Sequence, residues 1–136
     1  MKNISIIGLL FVLLLFSTCS KDKDVLNNPQ YIGYWKCTDN NYLFGLLIKE
    51  DGYGEYNEYI NSDPRGSFSG KVKISGDKLK IGIHTFKIIQ EPSRIDTSKN
   101  KIFAYLSSNG IKYSTSTMKL EGPSFYMGTG TYGLID

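Results

Sequence analysis

The sequence predicts an all-β domain, a small antiparallel barrel of eight or nine strands wound as a meander. Three observations carry that reading. From Tyr31 onward, apolar and aromatic runs of five to nine residues alternate with turn signals rich in Gly, Asn, Asp and Pro. The ten tyrosines all lie after residue 30, and together with the 13 glycines there they suit strands and tight turns better than helices. No stretch of ten or more residues in that region keeps a helical period. So many short strands must hide their edges, which a closed barrel does completely. About eight strands enclose an interior that is either filled or holds one small ligand.

The elements follow in order. Tyr31 to Thr38 reads as a first strand, ended by Asp39-Asn40-Asn41, and Tyr42 to Lys49 as a second. Asp51-Gly52 with Gly54 makes a hairpin turn, since glycine supplies positive φ without steric cost. Glu55 to Asn61 is a third strand, closed by Ser62-Asp63-Pro64-Arg65-Gly66. Phe68, Gly70, Val72 and Ile74 alternate with Ser69, Lys71 and Lys73, the pattern of a half-buried strand. Ser75-Gly76-Asp77 turns the chain back, and Leu79, Ile81 and Ile83 point inward against Lys78, Lys80 and Gly82. His84 to Gln90 is the next strand, with Pro92 expected to break it and 92–100 to form the longest loop. Lys101 to Ser107 and Ile111 to Glu121 read as a hairpin around Ser108-Asn109-Gly110. Ser124 to Tyr132 is the last strand.

The first 30 residues have a different character. Met1-Lys2-Asn3 is a short positive start, and Ile4 to Phe16 is apolar except for Ser5 and Gly8. That run is shorter than the roughly 20 residues a membrane span needs, and it matches the apolar region of a secretory signal. Residues 1–18 hold only Lys2, so their removal leaves 15 basic and 13 acidic side chains in one domain-sized chain. The formal net charge of the whole chain is +3, with no basic block and no zinc or RNA-binding motif, so no nucleic-acid partner is expected.

Leu15-Phe16-Ser17-Thr18-Cys19, followed by Ser20-Lys21-Asp22-Lys23-Asp24, resembles the lipobox of bacterial lipoproteins, in the looser form found in Bacteroidetes. The resemblance implies cleavage before Cys19, acylation of its sulfur and anchoring through palmitate-type chains in the cell outer membrane. The Lys- and Asp-containing stretch after the cysteine implies exposure on the outer surface. A thiolate is the soft nucleophile that acylation uses, and two or more chains hold a protein firmly in a bilayer. The organisation expected is therefore a signal peptide over 1–18, a lipidated flexible tether over 19–30 and a barrel domain over 31–136.

Gly33-Tyr34-Trp35 brings a second resemblance, covering most of residues 31–132. Lipocalins and related small barrels start with Gly-x-Trp on the first strand, the Trp plugging the closed end. Asp51-Gly52-Tyr53-Gly54-Glu55-Tyr56 and Gly76-Asp77-Lys78-Leu79-Lys80-Ile81 are similar to hairpins of bacterial lipocalin-like lipoproteins. The likeness implies the barrel and structural roles for Gly33 and Trp35. It does not by itself imply a ligand, because fold does not determine function.

Few residues are candidates for chemistry. His84 is the single histidine, and no nucleophile motif accompanies it, so it is expected near the surface at a strand end rather than in catalysis. Cys37 shares a face with Gly33 and Trp35 and reads as a small buried apolar residue. No His/Cys cluster points to a metal, and no cofactor is implied. Lys71, Lys73, Lys78 and Lys80 fall on the outward faces of two adjoining strands. They form either a basic patch for an anionic partner or a solvated, edge-protecting face. Tyr53, Tyr56 and Tyr59 near the second hairpin, with Tyr126 and Tyr132 on the last strand, offer either ring faces for a ligand or core packing. The function expected is non-catalytic: a lipoprotein binding a small apolar ligand or a glycan at the cell envelope. The alternative is a protein-interaction or inhibitor module serving a surface complex.

Overall fold

The computed structural model of the chain describes residues 24–95, 104–123 and 128–135. The leader, Cys19 and Tyr126 lie outside the described residues. The strands are β1 (Gly33–Asp39), β2 (Tyr42–Ile48), β3 (Tyr53–Ile60), β4 (Asp63–Ser75), β5 (Lys78–Ile81), β6 (His84–Arg94), β7 (Ala104–Ser107), β8 (Gly110–Tyr113), β9 (Ser116–Glu121) and β10 (Thr129–Ile135). Eight of them close an antiparallel barrel in the order β1-β10-β9-β6-β5-β4-β3-β2. Each strand of the ring pairs with its neighbours in sequence, apart from the separate ribbon β7-β8 inserted between β6 and β9. Closure is made at β1, where Tyr34 faces Leu47 of β2 on one side and Ile135 of β10 on the other.

Period-2 alternation places the core. Trp35 and Cys37, Phe44, Leu46 and Ile48, Tyr56, Val72, Leu79 and Ile81, Phe86 and Ile88, Met118 and Leu120, and Tyr132 all point inward and are buried. Trp35 is fully buried near one end of the barrel, and its indole Nε1 donates to the carbonyl oxygen of Tyr31 at 2.8 Å. The chain covers that end with one helical turn, Asp24–Asn27, and a 3-10 turn, Pro29–Tyr31. The described part of the segment expected as a tether is therefore docked. Val25 is wholly buried in the core cluster, and its turn packs against β4. Gly33 opens β1 at φ 136, and a Cβ there would come within 2.5 Å of Leu134 Cδ1, which explains the glycine two residues before the Trp plug.

Four expectations about element limits change. In place of a turn over Ser62 to Gly66, Asn61 and Ser62 alone reverse the chain, both with positive φ (51 and 72), as a two-residue hairpin requires. Asp63 to Gly66 then belong to β4, with a register shift at Glu58/Tyr59. Pro92 does not break β6. It lies beyond the pairing of β6 with β5, where no neighbour needs its missing N–H, and the register to β9 shifts between Gln90 and Ser93. The expected strand from Ile111 to Glu121 divides at Ser114-Thr115, so β8 leaves the barrel and β9 joins it. Ile83, expected inward, is 88% exposed because Gly82 and Ile83 form the β5-β6 turn, which interrupts the alternation.

One mismatch of strand lengths shapes the open end. β4 has 13 residues and β5 has 4. β5 pairs with β4 only from Val72 to Ser75, so among the described residues Asp63 to Gly70 pair with β3 alone. The two strands part at Gly70, where a Cβ would come within 2.6 Å of Gly82 Cα. Gly82 N–H donates to Lys71 O at 3.0 Å and ends the shared ladder.

Candidate functional site

The gap left by the short β5 is a cleft of about 460 Å³ beside the mouth of the barrel. Arg65, Gly66, Ser67 and Phe68 of β4 form one wall, and His84, the first residue of β6, with Pro123 forms the other. Tyr56 and Glu58 of β3 make the floor. Alternation explains the floor, since Gly54, Tyr56 and Glu58 are inward and buried whereas Tyr53, Glu55, Asn57 and Tyr59 are outward.

Aromatic rings line the inner part of the cleft. Tyr56 stacks on Phe68 with centroids 4.8 Å apart, and Phe86 meets the Tyr56 ring edge-on at 5.2 Å. The His84 imidazole lies nearly parallel on Phe68 at 4.0 Å. The expectation that His84 sits at a strand end is met, and the structure adds that it lines a cleft.

Beneath the rings runs a buried polar chain. The Tyr56 hydroxyl donates to Glu58 Oε1 at 3.0 Å and is hydrogen-bonded to Tyr132. With its own proton committed to Glu58, Tyr56 accepts from the Tyr132 hydroxyl, giving the order Tyr132, Tyr56, Glu58. Desolvation holds both phenols well above the usual tyrosine range, with the mutual contact next for Tyr56, and the Glu58 charge adds to each. Burial first and the Asp39 charge second push the Cys37 thiol up to about 11. That fits a small buried core residue and not a thiolate nucleophile.

The candidate tyrosines do not form one surface. Tyr56 is inside and Tyr132 is buried below it. Tyr53 is outside, its hydroxyl donating to Ser69 Oγ at 2.9 Å while Lys49 Nζ lies 5.4 Å from its ring centroid. Tyr59 is also outward and lies by Tyr34, whose phenol is raised by desolvation and then by Tyr59. A spacing of three along a strand puts alternate rings on opposite faces, which is why the cluster divides.

The lysines do come together. Lys71, Lys73, Lys78 and Lys80 are exposed, and Lys73 faces Lys80 directly across β4 and β5. Lys87 of β6 faces Lys78 and extends the patch to three strands. Among the described residues, no group of three or more His, Cys, Asp or Glu side chains is arranged to hold a metal ion. Glu58, on the floor of the cleft, is a site residue that the sequence does not single out. Its only signal there is its place two residues after Tyr56 on the inward face of β3. Neither a family model, nor a curated protein, nor a solved structure matches this chain.

Proposed function

We propose that this protein is a non-catalytic lipoprotein of the cell envelope that binds a small ligand in the cleft beside the barrel mouth. The supporting observation is the cleft itself: about 460 Å³, walled by the Phe68 and Tyr56 rings, with buried Glu58 at its base. Such a volume suits one small molecule, and a few convergent polar groups beside apolar walls are what orients one. Packed side chains fill the core around Trp35 at the closed end, so the ligand is small and enters from the side. The apolar part of the ligand, whether a glycan or an apolar compound, rests in the cleft against its aromatic lining. The all-antiparallel meander and the Trp plug support a lipocalin-like reading of the barrel, and Cys19 is its acylated anchor at the outer surface.

Both halves are tested in the exported protein. Titration with a panel of small sugars and aromatic compounds, followed by amide NMR, should shift Gly66, Ser67, Phe68 and His84. A panel that moves none of them counts against the binding reading. Radiolabelled palmitate should enter the wild type and not Cys19→Ala, and label retained in the variant refutes the anchor.

A second reading, a protein-interaction module, is favoured by the five lysines on the outer face of β4, β5 and β6. Their field would attract an acidic partner.

A further inference from the structure

We propose that the ligand of the cleft carries a primary ammonium group, held by the Glu58 carboxylate, on an apolar or ring-shaped body. This inference rests on the reading of the cleft as a small-ligand site.

Glu58 is 7% exposed and belongs to the floor of the cleft. Among the described residues, its one hydrogen bond is accepted at Oε1 from the Tyr56 hydroxyl. A carboxylate has about four acceptor sites on its two oxygens, so Oε2 is left for another donor. No lysine or arginine lies within ion-pair distance of Glu58 among the described residues, where the single pair is Lys49 with Glu55 on the outer face. Arg65 lines the same cleft but is exposed and makes no pair with it.

The space beside Oε2 is kept open. Gly66 is opposite Glu58 in the β3-β4 ladder, and a Cβ on Gly66 would lie 3.7 Å from Oε2. With no side chain there, a ligand atom can approach. A primary ammonium can donate to Oε2 while its body rests in the cleft.

The test uses the full exported protein and two probes of nearly one shape: phenethylamine, which carries the ammonium at neutral pH, and 2-phenylethanol, which does not. Binding is followed by amide NMR at Gly66, Ser67 and Phe68. Phenethylamine is expected to bind at least about tenfold more tightly than the alcohol, as a charged hydrogen bond would give. Glu58→Gln should abolish that preference while leaving the alcohol bound. Gly66→Val keeps the carboxylate and fills the space above it. It should weaken both probes, and its Cβ meets only ordinary contact, so the variant stays folded. Equal binding of the two probes to the wild type overturns the ammonium inference and leaves the cleft reading standing. Binding of neither probe overturns both. A preference that survives in Glu58→Gln assigns the cation to another group and overturns the role of Glu58.

Discussion

Tyr31 carries an unusual burden for a core residue. It is 1% exposed, its backbone oxygen takes the Trp35 indole proton, and its own hydroxyl has no hydrogen-bond partner among the described residues. Burial, with the Glu91 charge second, pushes that phenol up to about 12. A buried hydroxyl that finds no partner loses its water without compensation, so removing it relieves a cost of about 1 kcal/mol or more. Tyr31→Phe keeps the ring and the backbone acceptor. It should leave the melting temperature unchanged or raised, measured by thermal unfolding; a clear loss would mean that the hydroxyl has a partner.

Alternation within each strand makes several residues legible in the sequence. Trp35 and Cys37 read as a buried pair, and both are inside. The same rule applied to Tyr53, Tyr56 and Tyr59 divides them, whereas closeness along the chain groups them into one cluster. Ile83 is misplaced for a different reason, because a turn resets the alternation and its position depends on where the ladder to β4 ends.

At the scale of elements, the lysine rows on β4, β5 and β6 oppose their own folding. Lys73 faces Lys80 and Lys78 faces Lys87, and like charges directly opposite on adjacent strands are unfavourable. Lys73→Glu turns one such pair into an attractive one. It should stabilise the domain by about 0.2–1 kcal/mol in denaturant unfolding at low salt, and by less at high salt. A loss of stability would show that Lys73 is held by a contact other than Lys80. The Asp63–Gly70 half of β4, with no strand on its second side among the described residues, carries Pro64 and Arg65, residues that discourage edge-to-edge pairing.

For the whole molecule, the buried phenols and thiol predict how stability depends on pH. Cys37 has its pKa raised from 9.0 to about 11, and Tyr31 from 10.0 to about 12. Tyr56 and Tyr132 are raised further in the same direction. In each case the unfolded chain loses its proton first, so above pH 9 the unfolded state binds fewer protons and stability falls as pH rises. The contribution of Cys37 is complete below pH 9 and is lost by pH 11. Each group in its own window removes up to about 1.4 kcal/mol per pH unit. Denaturant midpoints should therefore hold steady up to pH 9 and decline above it. Cys37→Ala should delay the decline toward pH 10, where the tyrosines take over. A midpoint that does not fall between pH 9 and 11 would contradict the burial of these groups.

What the sequence determined by itself is the β class, most of the strands, the inward face shared by Trp35 and Cys37, and the lysine face on the outside. These depend on local facts, namely the two-residue period, turn chemistry and charge placement, each visible within a window of about ten residues. The tertiary structure alone decided that β4 outruns β5, that Pro92 stays within β6, that β7 and β8 stand outside the ring, and that a cleft with Glu58 at its base opens beside the mouth. The reason is physical. A cleft of this kind is a difference between the lengths and registers of strands far apart in the chain, and no local pattern in the sequence records where one ladder ends against another.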